Sequence, residues 1–297
     1  MIFGATPEAV RVGIGDDAAV LGVGDASLAW SVDVVVEGVH FRRDWLTPRE
    51  LGFKATMAAA SDLAAMGARP LGALASLVLP ASMSDADMAS LAEGQAAACT
   101  AIGASVIGGN LARGSELSVT TTVLGICDRV LHREGARAGD TLWCAGPLGL
   151  AAAGLRALLA GRSEDRALQA AIAAWRQPVA RIAEGLRAAA LAHAAIDVSD
   201  GLSLDAARLL GASLDLVMAP PVSADLGVAA RALSVDAQEL VLSGGEDYAL
   251  LVAAPDDATL EGFSRIGRFE KGSGVLWLEQ EGERRRIEPR GFDHFAS

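Results

Sequence analysis

Residues 28–36 read LAWSVDVVV, a run of apolar and β-branched side chains with one acidic residue, Asp33, embedded in it. A short apolar run of this kind is typical of a buried β-strand. A carboxylate inside such a strand costs free energy unless it is paired with a cation or bound to a metal ion. The stretch therefore predicts both a central sheet and a polar site on that sheet.

The sequence on the C-terminal side of this strand predicts alternating helices and strands. Thr47 is a candidate N-cap and Pro48 suits a first helical turn, so a helix is predicted up to about Met66. Ser84 is the candidate cap of a second helix, which should reach about Ile102. Further strands are predicted at residues 71–79, at residues 104–107, where Gly108-Gly109 would end the strand, and at residues 117–126.

The second half of the chain repeats this mixture. Strands are predicted at residues 141–145, 195–198, 214–217 and 247–252, and helices should begin near Leu148, Pro178 and Ser203. We place a domain boundary at about Asp128. The predicted fold is α/β (α+β) with two domains, an N-terminal sheet domain of residues 1–128 and a C-terminal α/β domain of residues 129–297.

Composition restricts the possible partners and location. The chain has 297 residues, a net charge of −12 and only 4% aromatic residues. Nucleic acids and anionic membranes bind basic patches, so neither is an expected partner. Residues 1–5 show no basic region followed by an apolar run, and no uncharged stretch is apolar enough to span a membrane. These features predict a cytoplasmic protein.

Five short segments place carboxylates beside glycine or serine. They are GIGDD (13–17), SVD (31–33), SD (61–62), DVSDG (197–201) and SGGED (243–247). Each alone has a simpler explanation, such as a solvated turn for Asp17, a solvent-facing helix position for Asp62 or a helix cap for Asp200. Together they are typical of the oxygen ligands that hard cations prefer, chiefly Mg²⁺.

The common phosphate-binding motifs do not occur in the sequence. It contains no Walker A lysine loop, no dinucleotide-binding glycine fingerprint after a strand and no protein-kinase catalytic loop. The pair Gly108-Gly109 could bring backbone amides close to a phosphate if it follows a strand. The histidines show neither zinc spacing nor a nucleophile triad, so metal-assisted phosphate chemistry stays the favoured interpretation.

Eight stretches, in this order and spacing, resemble the bacterial thiamine-monophosphate kinase family, of the superfamily that includes aminoimidazole ribonucleotide synthetase. They are GIGDDAAVL (13–21), SVDVVVEGVHF (31–41), KATMAAASDLAAMGARP (54–70), IGGNLARG (107–114), REGARAGD (133–140), IDVSDGL (196–202), LSGGEDYAL (242–250) and GFDHF (291–295). The stretches span nearly the whole chain, and EGVHF and SGGEDY mark this family within the superfamily.

The resemblance implies an activity and an assembly. It implies a two-domain synthetase-like fold in which the N-terminal sheet domains form a homodimer, with ATP and several Mg²⁺ ions between acidic loops. The implied enzyme is an ATP-dependent phosphotransferase with a phosphate group as acceptor. It would transfer the γ-phosphoryl of ATP in line to thiamine monophosphate, giving thiamine diphosphate and ADP.

The resemblance also implies roles for individual residues. The metal-facing residues would be Asp17, Ser31, Val32 through its backbone carbonyl, Asp33, Asp62, Asn110, Asp197 and Asp200. Gly109, Asn110, Arg133 and Ser199 would lie on the ATP. His40, Glu246 and Phe292 would meet the thiamine monophosphate. No general base is assigned, because the attacking phosphate oxygen is already anionic at neutral pH.

The chain departs from the family pattern at Asn110, where Gly-Gly-Asp is common, and this change removes a charged ligand. Two alternatives therefore stay open. One is a related ATP-dependent enzyme with another substrate, such as a cyclo-ligase, which EGVHF and SGGEDY disfavour. The other is a weakened, non-catalytic ATP-binding relative, which the remaining carboxylates disfavour.

Overall fold

The computed structural model describes residues 7–292 of the chain. The N-terminal part of this range contains two helices, α1 (Pro48–Ala65) and α2 (Asp85–Ala101). The strands of this part are β1 (Val10–Val12), β2 (Ala19–Val23), β3 (Ala26–Val36), β4 (Arg69–Pro80), β5 (Val106–Gly114) and β6 (Ser118–Cys127). Among the described residues they form one six-stranded sheet in the order β1-β2-β3-β6-β4-β5, in which β4 and β5 are parallel.

Both predicted helix starts are confirmed. The hydroxyl of Thr47 accepts a hydrogen bond from the N–H of Glu50, and the Glu50 carboxylate accepts one from the N–H of Thr47 at 2.7 Å. Ser84 and Asp87 form the same reciprocal pair at the start of α2. These caps satisfy backbone N–H groups that have no partner inside a helix.

Glycine lets α1 and α2 pack closely. A Cβ atom added at Gly52 would lie 2.1 Å from the carbonyl oxygen of Leu91, and one added at Gly94 would lie 1.9 Å from that of Arg49. Side chains at these two positions would therefore push the helices apart. The many alanines of α1 also favour close packing, because their small side chains let neighbouring elements approach the helix on all sides.

Strand β3 is buried on one face only, which corrects the prediction of a fully buried strand. Ala29, Ser31 and Val35 face the helices and are buried, whereas Trp30 and Val32 on the other face are 48% and 62% exposed. The alternation follows from the two-residue period of a strand. The apolar run arises because the outer face of this sheet is itself apolar.

The prediction that Gly108-Gly109 ends a strand is wrong. Both residues lie inside β5, which pairs in register with β4 so that Gly109 lies opposite Ala75. A Cβ atom at Gly109 would lie 1.9 Å from the Ala75 carbonyl oxygen. Glycine is needed here for close approach of the two strands and not for a turn.

The C-terminal part contains a second sheet. Its strands are β7 (Asp140–Ala145), β8 (Ala194–Val198), β9 (Leu214–Met218), β10 (Ala249–Pro255), β11 (Ser264–Lys271), β12 (Leu276–Gln280) and β13 (Glu283–Ile287). Within residues 7–292 it has seven strands in the order β13-β12-β9-β11-β7-β10-β8. Its helices are α3 (Leu150–Leu159), α4 (Gln169–Arg176), α5 (Ile182–Ala188), α6 (Leu202–Ala207), α7 (Ala224–Leu233) and α8 (Ala237–Ser243).

Some boundaries differ from those predicted in this half. The helix predicted from Pro178 begins at Ile182, and the strand predicted from Asp247 begins at Ala249. Asp247 is held outside the strand because its carboxylate accepts hydrogen bonds from the N–H groups of Gly149 and Ala151, at the start of α3. Helices α4, α7 and α8 were not predicted.

Helix α1 lies between the two halves of the molecule. It contacts β3 and β6 of the first sheet, and also α5, β8 and β10 of the C-terminal part. Polar residues on this helix are therefore placed where the two domains meet.

None of the helices in the described range 7–292 is long and apolar enough to cross a membrane.

Candidate active site

Three carboxylates from distant parts of the sequence meet between the domains. Asp17 lies in the loop between β1 and β2, Asp62 lies on α1, and Asp197 lies near the end of β8. Each of them offers a carboxylate oxygen, and these oxygens all lie within 4.8 Å of one another. We refer to Asp17, Asp62 and Asp197 as the carboxylate triplet.

Each member of the triplet is oriented by a hydrogen-bond donor. The Ser31 hydroxyl donates to Oδ2 of Asp62, and the Ser61 hydroxyl donates to Oδ2 of Asp197 at 2.6 Å. The Arg133 guanidinium donates to Oδ1 of Asp17 through Nη2, at 2.6 Å, and through Nε, at 3.1 Å. The bonds from Ser61 and Arg133 cross between the two halves of the chain.

Burial and mutual repulsion disfavour the charged forms of the triplet. Burial and the Asp197 charge raise the pKa of Asp17 to about 7, although the hydrogen bond from Arg133 opposes the shift. Burial raises the pKa of Asp197 to about 6 against the hydrogen bond from Ser61. Burial and the Asp197 charge also raise the pKa of Asp62 well above its ordinary value. Three carboxylates this close need protons or a cation between them.

The triplet fits a divalent cation. Oδ2 of Asp17 is buried, and no hydrogen-bond partner for it lies within residues 7–292. A buried oxygen without a partner is costly, and a hard cation would satisfy it while neutralising its neighbours. The donors are all carboxylate oxygens, the set that Mg²⁺ prefers.

Five other residues predicted to face metal lie outside the triplet, and Ser31, the hydrogen-bond donor to Asp62, is one of them. Asp33 is half-buried on the same face of β3 as Ser31, and its charge contributes to raising the pKa of Asp62. Asp200 forms an ion pair with Arg208 at 2.9 Å. Val32 points its side chain to the outer face of the sheet, and Asn110 is exposed on β5 opposite Ser76. Their predicted metal contacts stay predictions.

The residues predicted on the nucleotide lie in three places. Gly109 and Asn110 are neighbours on β5, and Arg133 lies beside Asp17. The carbonyl oxygen of Ser199 accepts a hydrogen bond from the N–H of Glu246 at 2.8 Å. Ser199 is thus tied to the loop that carries a predicted substrate residue.

Two of the predicted substrate residues, His40 and Phe292, make hydrogen bonds with the backbone. Nδ1 of His40 accepts a hydrogen bond from the N–H of Val36 at 3.1 Å, so the neutral ring carries its proton on Nε2. The N–H of Phe292 donates to the carbonyl oxygen of Asp200 at 2.9 Å, and the Phe292 side chain is 53% exposed. Residues 293–295 of the GFDHF motif lie outside the described residues.

Glu246 lies in a loop with unusual backbone geometry. Its φ is +63° and that of Tyr248 is +48°, a left-handed region that disfavours side chains of this size. The loop holds this geometry through the buried carboxylate of Asp247 at the start of α3 and the Glu246–Ser199 hydrogen bond. Such strain is concentrated at functional sites.

Two residues that hold the Glu246 carboxylate, Lys54 and Trp175, were not predicted from the sequence. Nζ of Lys54 lies 3.0 Å from Oε1 of Glu246, and the Trp175 indole N–H donates to Oε2 of the same carboxylate. Lys54 falls inside the KATMAAASD stretch, where a lone lysine among alanines and small residues is the one available sign that it is buried. Nothing local marks Trp175, because its partner is far along the chain.

The comparisons with known proteins agree with this architecture. Residues 15–127 match the family described as AIR synthase related protein, N-terminal domain. The fold and the carboxylate triplet thus belong to a chain of the AIR synthase-related class. A solved structure described as "AaThiL complexed with AMPPCP and TMP" superposes with a TM-score of 0.87 at 32% identity, covering 95% of this chain and 92% of that one.

Curated relatives define the family more narrowly. The thiamine-monophosphate kinase of Aquifex aeolicus (strain VF5) is 33% identical over 289 residues, which is 95% of this chain and 92% of the relative. That of Mycobacterium tuberculosis (strain ATCC 25618 / H37Rv) is 37% identical over 284 residues, covering 93% and 84%. The chain therefore belongs to the thiamine-monophosphate kinase family, as the motifs predicted.

Proposed function

We propose that this protein transfers the γ-phosphoryl group of ATP to thiamine monophosphate, giving thiamine diphosphate and ADP. The observation that carries the proposal is the carboxylate triplet, which unites Asp17, Asp62 and Asp197 at the meeting point of both domains. The family assignment and a relative bound to AMPPCP, an ATP analogue, and TMP support the choice of substrates.

The triplet would hold Mg²⁺, and Ser31 and Ser61 would keep two of its carboxylates in position. When bound, the cation supplies positive charge that offsets the repulsion between two phosphate-bearing substrates. Arg133 adds a fixed positive charge beside Asp17. These features support a binding place for the ATP phosphates at the triplet.

The chain's own residues then need only to align the substrates, and none of them has to transfer a proton. An oxygen of the acceptor phosphate attacks the γ-phosphorus while the bond to the β,γ-bridging oxygen breaks, and ADP leaves. The attacking oxygen is anionic at neutral pH, so no general base is required. His40, with its proton on Nε2, can donate a hydrogen bond to a phosphate oxygen of the acceptor.

We further propose that the protein is a cytoplasmic homodimer without a nucleic-acid partner. The outer face of the N-terminal sheet carries exposed apolar side chains on several strands, including Trp30 on β3, Leu74 on β4 and Ile107 on β5. A contiguous apolar face of this kind is typical of a protein interface. The net charge of −12 supports the absence of a nucleic-acid partner.

A coupled assay of ADP release tests the proposed reaction. Purified protein is assayed with thiamine monophosphate or with unphosphorylated thiamine, each with Mg²⁺ and with EDTA. We expect Mg²⁺-dependent turnover of thiamine monophosphate and poor turnover of thiamine. Thiamine diphosphate formed from thiamine but not from its monophosphate would overturn the proposal, and Asp62→Asn serves as the inactive reference.

A further inference from the structure

Lys54 carries a buried ammonium group at the domain junction. Its side chain is 1% exposed, and it lies on α1 about two turns before Ser61. Nζ donates a hydrogen bond to the Trp175 carbonyl oxygen at 2.8 Å and lies 4.2 Å from the centroid of the Trp175 ring. Its ion-pair partner is Oε1 of Glu246, at 3.0 Å, and the Asp33 charge also favours the protonated ammonium.

The Glu246 carboxylate is therefore held at both oxygens. Oε1 faces the Lys54 ammonium, and Oε2 accepts the Trp175 indole N–H. A carboxylate has about four acceptor positions, so each oxygen retains capacity for a further donor. The side chain is 24% exposed, so the carboxylate is held by Lys54 and Trp175 on its buried side and faces solvent on the other.

The pairing with Lys54 changes what Glu246 is suited to bind. Because the ammonium cancels the carboxylate charge, the pair offers oriented acceptor atoms and no net charge. Such a group suits a neutral N–H donor more than a bare cation. Thiamine monophosphate carries both kinds of group, a neutral amino group on its pyrimidine ring and a positive charge on its thiazolium ring.

We propose that Lys54 is a positioning residue that, together with the Trp175 indole N–H, orients Glu246 to accept a hydrogen bond from the pyrimidine amino group of the acceptor. This inference rests on the proposed function, and it makes Glu246 a specificity determinant. Lys54 itself does not touch the substrate.

A purely structural role for residue 54 would not require a charged side chain. A methionine at position 54 would fill the same space against Trp175 without the cost of burying a charge. What lysine adds is the fixed direction of the Glu246 carboxylate. Substrate preference therefore separates the two roles, because packing alone does not distinguish an amino group from an oxygen.

The test compares thiamine monophosphate with its 4-oxo analogue, which presents an oxygen acceptor where the amino group presents N–H. We expect the wild-type protein to prefer the amino compound in kcat/KM by about tenfold or more. Glu246→Gln, whose amide can also donate, should reduce this preference to near one. Lys54→Met should reduce it by at least about fivefold, while the KM for ATP stays within about twofold.

Three further variants make the result decisive. Lys271→Met, at an exposed lysine, should keep the wild-type preference. The double variant Lys54→Met/Glu246→Gln should lose no more preference than Glu246→Gln alone, because both act through one carboxylate. Trp175→Phe keeps an aromatic ring but loses the N–H, so it carries the test if Lys54→Met does not fold.

The outcomes distinguish this inference from the proposed function. If the wild-type protein turns over thiamine monophosphate and Lys54→Met and Trp175→Phe retain its full preference, the positioning role is wrong and the function stands. An additive double variant would also overturn it. If the wild-type protein does not phosphorylate thiamine monophosphate, the proposed function falls and the inference falls with it.

Discussion

The Ser61 hydroxyl donates a hydrogen bond to the Asp197 carboxylate over 2.6 Å, joining helix α1 of the N-terminal domain to strand β8 of the C-terminal domain. Ser61 is buried and also donates to the Ala58 carbonyl oxygen at 2.8 Å, so its hydroxyl is shared between its own helix and the site. Its neighbour Asp62 belongs to the triplet itself. The serine-aspartate pair thus supplies one carboxylate of the triplet and the hydroxyl that orients another.

Ser61→Ala should weaken Mg²⁺ binding without abolishing activity. The hydrogen bond lowers the pKa of Asp197, so its loss favours the protonated carboxylate, which binds metal poorly. We expect the half-saturating Mg²⁺ concentration at pH 7 to rise roughly tenfold, the scale of one hydrogen bond to a charged group. Thr100→Ala, which removes an exposed hydroxyl from α2, should leave it unchanged. An unaltered Mg²⁺ dependence in Ser61→Ala would contradict the orienting role.

The raised pKa values of the triplet predict a pH dependence of stability. Asp17 and Asp197 have pKa values of about 7 and about 6, against an ordinary value of 3.8. At pH values between the ordinary and the raised pKa, the folded protein therefore binds more protons than the unfolded chain. The free energy of unfolding without divalent cations should therefore fall as pH rises from about 4 to about 7. Mg²⁺ should raise the melting temperature more at pH 8 than at pH 5.

Melting curves of the wild-type protein and Asp17→Asn, each in EDTA and in Mg²⁺, check this prediction. Other groups titrate in the same range, so the informative quantity is the difference between the two proteins. That difference should change by about 1 kcal/mol or more across the window. If the difference between the two proteins in EDTA did not change with pH, the pKa of Asp17 would not be raised.

Asp33→Ala should cut turnover by at least about a hundredfold, on the order of 3 kcal/mol of transition-state stabilisation. The variant should still fold, because Asp33 repels the Asp62 carboxylate and its removal relieves that repulsion. Initial rates and circular dichroism measure the two effects separately. Asp44→Ala, at an exposed aspartate paired with Arg42, is the matched control. A near-wild-type rate in folded Asp33→Ala would refute the metal-facing role.

Asn110→Asp should lower the half-saturating Mg²⁺ concentration. Asparagine keeps a carbonyl oxygen that can coordinate Mg²⁺ but lacks the charge that makes a hard cation bind tightly. The natural protein should therefore be active with a raised Mg²⁺ requirement, while Asp62→Asn should be inactive in either background. Titration of activity with Mg²⁺ provides the measurement. An unchanged dependence would show that position 110 is remote from the metal.

Trp30→Glu should convert the proposed dimer to a monomer. Its indole is exposed on the outer face of β3, and a charge there would oppose burial against a second copy. Light scattering at micromolar concentration should give the dimer mass for the wild-type protein and the monomer mass for the variant. Leu159→Glu, at an exposed leucine of the C-terminal domain, should stay dimeric. A wild-type monomer would count against the interface.

The sequence predicted those parts of the site that depend on local signals. Asp17, Asp62 and Asp197 each lie in a short motif with glycine or serine, and their order matched a known family, so their convergence could be expected. The helix caps at Thr47 and Ser84 could also be predicted from the sequence, because a capping box is a pattern of four consecutive residues.

The parts that depend on long-range pairing could not be predicted in the same way. The role of Gly109 depends on its approach to β4, and the sequence cannot show this because close contact between strands and turn formation both select glycine. Lys54 and Glu246 lie far apart in sequence, so no local pattern shows that they form a pair. Their contact follows from how α1 is wedged between the domains.

The left-handed backbone at Glu246 has a consequence for laboratory evolution. Glycine adopts φ near +63° without the penalty that glutamate carries, on the order of 1 kcal/mol. Loss of the carboxylate alone would leave the buried Lys54 ammonium unpaired, at a cost of about 3–5 kcal/mol, so libraries selected for thermal tolerance alone should take up Gly at position 246 only together with an uncharged residue at position 54. A screen that alternates heating with a demand for thiamine diphosphate would retain Glu246, and the residue recovered under each regime measures how far durability and turnover conflict at this one loop.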